Sequence, residues 1–139
     1  MSARLTLTLI VAGALVLPSS AAAATKNGVT PVSPKAGKSV PAGERPTFKV
    51  RAKGGGQVWI HVCKSKKKDK DGLICTKEAI GRAKKKGGTY KFKAPFFDFP
   101  AFWLNSPGTY YWQAHRISCE GNLSDCRLEG PIVKVRVAG

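Results

Sequence analysis

Apolar and polar residues alternate one by one along a series of short runs, and this period of two restricts the chain to half-buried β-strands. Phe48, Val50 and Ala52 share one side of such a run, and Thr47, Lys49 and Arg51 share the other. Val58, Ile60 and Val62 alternate with Trp59, His61 and Cys63 in the next. Tyr90, Phe92 and Ala94 alternate with Thr89, Lys91 and Lys93, and Tyr110, Trp112 and Ala114 with Tyr111, Gln113 and His115. A last run sets Val133, Val135 and Val137 against Lys134 and Arg136. Turn-forming or charged segments separate the runs: Gly54-Gly55-Gly56, the basic stretch from Lys64 to Gly72, Lys84-Lys85-Lys86-Gly87-Gly88, and Ser106-Pro107-Gly108. Thr30-Pro31-Val32-Ser33-Pro34 offers at most an edge strand, because proline cannot donate to a central ladder. Thr76 to Lys85 is the segment that could make a helical turn. Short strands with Gly-, Pro- and charge-rich connections predict an all-β sandwich.

The ends set the boundaries. Arg4, an uncharged apolar run from Leu5 to Leu17 and small residues from Ser19 to Ala24 predict a signal peptide over residues 1–24. The apolar run is too short to span a bilayer, and no second one follows. Residues 25–45 are rich in Pro and Gly and read as a lead-in with a first edge strand; residues 46–139 read as one sandwich domain. An exported chain with four cysteines points to two disulfides, for which three pairings exist. Cys63 and Cys75 have eleven residues between them, Cys119 and Cys126 six, and neither is a zinc-ligand spacing. Neither a metal nor another cofactor is implied.

The formal charge of +16 falls by one when Arg4 is removed. Such an excess attracts polyanions and repels other bases, which sets the sign of a partner without identifying it. A polyanion, a cell-wall polymer or a glycan are the partner classes that fit. No nucleophile, acid–base pair or metal motif stands out. Asp69-x-Asp71-Gly72 lacks the remaining oxygen ligands of a calcium loop, and the eight acids are scattered. The chain therefore reads as non-enzymatic. Asn122-Leu123-Ser124 matches a glycosylation sequon.

Three groups of residues are candidate binding elements. Lys64, Lys66, Lys67, Lys68 and Lys70 crowd one loop. Phe97, Phe99 and Trp103 belong to an aromatic stretch, Phe96 to Leu104, that prolines keep from being a long strand. This stretch is either a contact surface or a satellite core under its own loop. If Val58, Ile60 and Val62 point inward, Trp59 and His61 point outward, as do Tyr111, Gln113 and His115 by the same parity, with Lys134 and Arg136 beside them. This face is either a glycan or protein contact or is covered by a strand, a loop or a partner.

Ser33-Pro34, Pro46-Thr47-Phe48, Pro107-Gly108-Thr109-Tyr110-Tyr111-Trp112 and Gly130-Pro131-Ile132-Val133 resemble the fibronectin type III-like and related immunoglobulin-like domains of bacterial exported proteins. The resemblance spans most of residues 25–139 and implies a sandwich of about seven strands, with Tyr110 closing a corner. It also implies adhesion, carbohydrate-binding, spacer or inhibitor roles, the two cysteine pairs being a departure that counts against a spacer. In such a sandwich the third and sixth strands are antiparallel neighbours, which sets Cys63 and Cys119 at opposite ends, about 30 Å apart. A disulfide needs Cα atoms within about 7 Å, so the resemblance implies local pairing, Cys63–Cys75 and Cys119–Cys126. By the same topology the lysine loop and the aromatic stretch emerge at one end, where bases beside rings could hold a polyanion. The expected function is thus an exported, cell-surface-associated binding module for an anionic or glycan-like ligand. The rival readings are a protein-binding inhibitor or effector and a small-ligand carrier.

Overall fold

The structure, a computed structural model, describes residues 23–54, 56–75, 79–93, 104, 106–119 and 126–139, with residues 79 and 80 described by their backbone. Eight strands are found among them: β1 Val29–Ser33, β2 Ser39–Pro41, β3 Thr47–Ala52, β4 Gln57–Cys63, β5 Ala79–Lys86, β6 Thr89–Lys93, β7 Gly108–Ile117 and β8 Arg127–Ala138. They pair in the order β1-β3-β6-β5-β4-β7-β8-β2, antiparallel throughout except for the parallel β2–β8 pair. The architecture is all-β. Both β1 and β2 lie in the lead-in, and Val29 and Val40 carry it into the core.

The sheet closes on itself at β5. Residues 79–83 pair with β4, from Val62↔Ala79 to Val58↔Ala83, whereas Lys84 to Lys86 pair with β6. One strand thus belongs to two layers: β1, β3, β6 and the end of β5 form one, and the start of β5 with β4, β7, β8 and β2 forms the other. At the crossing, Gly81 lies under the Phe92 ring, where a Cβ would come within 2.1 Å of ring carbon Cζ. The helical turn that Thr76 to Lys85 could have made is not found from Ala79 onward, and the expected turn at Lys84-Lys85-Lys86 is corrected here. From Ala79 onward the segment is strand, with Gly81 and Ala83 buried against exposed Arg82 and Lys84, and the turn is Gly87-Gly88. Its buried side is made of a glycine and an alanine, too small to register as an apolar stripe.

The layers meet through the inward sides of the strands. Phe48, Val50 and Tyr90 on one layer face Val58, Ile60, Val62, Tyr110, Trp112, Ala114, Val133 and Val135 on the other, all of them buried. Phe48 meets Trp112 edge to face, ring centroids 5.3 Å apart. The Trp112 indole donates to the Pro34 carbonyl at 3.1 Å, so its one polar atom is satisfied inside the core. Tyr110 donates its hydroxyl to the Ser106 carbonyl at 3.2 Å, closing the corner at the start of β7. Leu104 is fully buried, and its carbonyl accepts the Gly43 N–H at 2.9 Å.

Cys63 is joined to Cys75 and Cys119 to Cys126, each pair with Cα atoms 5.8 Å apart. Both bridges close short loops, 12 and 7 residues in sequence separation. In a chain-entropy account such bridges stabilise by limiting the unfolded chain, by about 2–3 kcal/mol each.

Two substitutions test this packing. Trp112→Ala removes the largest fully buried side chain and should cost about 3–5 kcal/mol in urea unfolding. Gly81→Ala pushes a methyl group into the Phe92 ring and should cost about 1–3 kcal/mol, much of it restored by pairing with Phe92→Leu. A wild-type midpoint for either single variant would contradict the layer contact or the β5 crossing.

Candidate functional site

Beyond Cys63 the chain does not run out into solvent but doubles back across the outer side of β4 and β7. The Cys63–Cys75 bridge fixes both ends of this hairpin, and Lys68 pairs with Ile74 across it. Its tip is organised by Asp69, whose carboxylate accepts the N–H groups of Asp71 at 2.9 Å and Leu73 at 3.0 Å. The Asp69 N–H in turn donates to the Leu73 carbonyl at 2.8 Å. Leu73 and Ile74 are buried, which gives the hairpin a small apolar base on a sheet face that would otherwise be wet.

Gln113 pins this base. Its side-chain oxygen accepts the Ile74 N–H at 2.9 Å, and its nitrogen donates to the carbonyls of Gly72 at 3.1 Å and Gly130 at 2.9 Å. One buried amide thereby ties β7 to the hairpin and to β8. A single apolar replacement would leave three backbone groups without this partner, each costing roughly 1–3 kcal/mol if it stays buried.

The hairpin also covers the histidines. His61 and His115, on the outward-turned face for which either an open contact or a cover was expected, are 1% and 4% exposed. Their rings are hydrogen-bonded, Nε2 of His61 to Nδ1 of His115 at 2.6 Å. Strand parity places them on the outer side correctly, but parity says nothing of what lies over that side, and Leu73-Ile74 lies over it. Trp59 and Tyr111 are half-buried on the same side. Among the described residues this face is therefore closed at both histidines. The pair is held neutral: burial, then the positive Arg127, lowers His61 to about 4 against the smaller pull of Asp69 and the Ile74 backbone. Burial, then His61 and Arg127, lowers His115 to about 3.

Above this buried base, Lys64, Lys66, Lys67, Lys68 and Lys70 are all exposed. Lys64 extends over the Tyr110 ring, Nζ 5.3 Å from its centroid. Asp69 and Asp71 offset part of this charge, and the five lysines leave the hairpin net positive on a fixed frame. Phe97, Phe99 and Trp103 lie outside the described residues, so their expected place beside the lysines is not described. Among the described residues no three His, Cys, Asp or Glu side chains are grouped to hold a metal ion.

Strand register reveals a second basic surface that sequence reasoning missed. Lys84 stands opposite Lys91, and Lys91 opposite Lys49, across β5, β6 and β3. The alternation shows Lys49 and Lys91 on the polar sides of their strands but gives Lys84 to a turn, and only the pairing shows that the three form one row.

No family model matches the sequence, and a search of curated proteins gave no match. Among solved structures the chain is similar to the Clostridium thermocellum CbhA fibronectin(III)-like modules, with 23% sequence identity and a TM-score of 0.43. The match covers 79% of this chain and 45% of that one, so this chain spans less than half of its length.

The buried histidines set a pH dependence. Above about pH 6.5 both are neutral in the folded and unfolded chains. Below it the unfolded chain takes up protons that the folded pair refuses until about pH 4, so stability falls as pH falls through this window. Glu129, lowered by its 2.8 Å contact with Lys26, contributes a loss at more acidic pH, below the ordinary glutamate range. Urea unfolding at pH 7.5, 6 and 5 should show the midpoint dropping, and His61→Gln with His115→Gln should flatten that drop. A flat wild-type profile would mean that the pair opens to solvent.

Proposed function

We propose that this chain is an exported, cell-surface-associated, non-enzymatic binding module of fibronectin type III-like type, and that the lysine hairpin holds an anionic or glycan-like ligand. The observation that supports the reading is the hairpin itself: five exposed lysines on a loop fixed by a disulfide, by Asp69 and by Gln113. Ordering a flexible loop on binding costs conformational entropy, and these anchors meet that cost during folding. The charge therefore stands ready for a partner of opposite sign, at raised association rates.

A fixed hairpin also suits the second reading, a protein-binding inhibitor or effector that presents this loop to an acidic target surface. The carrier reading has less support. Two depressions among the described residues, lined by Val32, Pro34, Val40 and Lys49 and by Gly56, Arg82 and Tyr90, are open to solvent rather than enclosed apolar cavities.

Retention on immobilised heparin and DNA tests the proposal. Lys66→Gln, Lys67→Gln and Lys68→Gln together should elute at lower salt than wild type and reduce the dependence of log K on log salt by about 2–3. The equally charge-depleted set Lys35→Gln, Lys38→Gln and Lys53→Gln should retain most of the binding. Equal loss from both sets would show that net charge alone acts, and no loss from the first would remove the hairpin from the binding surface.

A further inference from the structure

On the side of the sandwich opposite the hairpin, the outward residues of β3, β6 and the Lys84–Lys86 end of β5 that pairs with β6 form a grid of bases. Lys49↔Lys91 and Lys91↔Lys84 make its central row; Lys93 stands opposite Thr47 on one flank and Lys86 opposite Thr89 on the other. Arg51, two residues beyond Lys49, adds a sixth base and stands opposite Thr30 of β1. Strand geometry sets the mesh at about 5 Å between strands and about 7 Å along them. No Asp or Glu occurs in β3, β5 or β6. None of the six bases makes an ion pair among the described residues. Glu44, in the loop before β3, shares a surface depression with Lys49 and is likewise unpaired.

Like charges placed directly opposite on a sheet are destabilising, and here three share one row. An anion laid over the row would relieve that repulsion. Three features decide what kind. The array is two-dimensional, whereas a polymer strand would follow a single line of it. Its polar residues other than bases are threonines, with no aromatic ring for stacking a base or sugar. Five of the six bases are lysines, hydrated point charges on flexible stems, not the planar forks that read a phosphate by shape. Together they fit an extended, fluid layer of negative charge.

We propose that the outer face of β3, β6 and β5 docks on an anionic lipid bilayer, with Lys49, Lys91 and Lys84 at its centre. This goes beyond the hairpin reading and uses the opposite face. Bound so, the sandwich lies flat on the headgroups and turns its lysine hairpin away from the membrane, free for a second ligand. No apolar insertion is involved, so binding must weaken sharply with salt.

The test is co-sedimentation of the full exported chain with vesicles of phosphatidylcholine alone or with a third phosphatidylglycerol, at 50 and 300 mM salt. Wild type should bind the anionic vesicles at low salt and leave the neutral ones in solution. Lys49→Gln, Lys84→Gln and Lys91→Gln together should lower partitioning roughly 100-fold, at about fivefold for each base near the surface. The matched set Lys66→Gln, Lys67→Gln and Lys68→Gln should lower it less than about threefold. Replacing the same three grid lysines by Arg should keep binding, and a thermal melt of the Gln set no lower than wild type shows that its fold is intact. Equal loss from the two Gln sets, equal binding to neutral vesicles, or no effect of the grid set would overturn the proposal. Heparin retention of the hairpin set is read separately, so either surface can fail without the other.

Discussion

The closure of the sandwich turns on the crossing of β5 from one layer to the other, and the tight contact of Phe92 with Gly81 sits at that crossing. A strand that serves two layers must bend away from one neighbour while keeping the next, and the inner side of β5 at the bend faces a ring. Glycine leaves that space empty, and Phe92 fills it from β6. Once the two layers close, Phe48 comes against Trp112, and the valines of β4 and β8 share one interior. The core thus depends on a residue that contributes no apolar surface of its own.

What the core does for the inward side, Gln113 does for the outward one. An alternating strand exposes half its residues, and the outer half of β4 and β7 is only partly polar: Trp59, His61, Tyr111, Gln113 and His115. Without a cover these groups would be hydrated. With Leu73 and Ile74 over them, each polar group needs an internal partner. The histidines find each other and Gln113 finds three backbone groups, while Nδ1 of His61 and Nε1 of Trp59 have no partner among the described residues. The same cover fixes the lysines above it, so the order of the charged surface is inherited from a buried polar network.

Much of this was legible in the residues, because a large side chain at every second position is hard to bury any other way. Tyr110, Trp112, Val58, Ile60, Val133 and Val135 all lie on the interior that the alternation assigns them. β5 was not legible: Gly81 and Ala83 bury almost no apolar area, and the run of Lys84 to Lys86 looks like any solvated turn. That something covers His61 and His115 was one of two readings the alternation left open; that Leu73 and Ile74 do so was not legible, since a charged segment separates them from β4. The lysine row was hidden for a third reason. Lys49 and Lys91 obey the patterns of their strands, Lys84 sits in the strand that was not legible, and alignment among three strands is a property of register, which turns and bulges fix and composition does not.

The two basic surfaces differ in how they keep their charges apart. On the hairpin the lysines are exposed on a loop outside the strand ladders, and strand register does not set them side by side. On the sheet, backbone hydrogen bonds hold Lys49, Lys91 and Lys84 at strand spacing, and relief can come only from long flexible stems, from salt or from a bound anion. The sheet face is therefore the place where the fold itself works against electrostatics. The hydrophobic interior behind it, anchored by Phe48 and Tyr90 on the same two strands, supplies the stability that this arrangement draws on. Charge that repels its neighbours but cannot move away from them leaves an unrelieved positive field, and on this molecule that field lies on one side of the sandwich while the hairpin lies on the other.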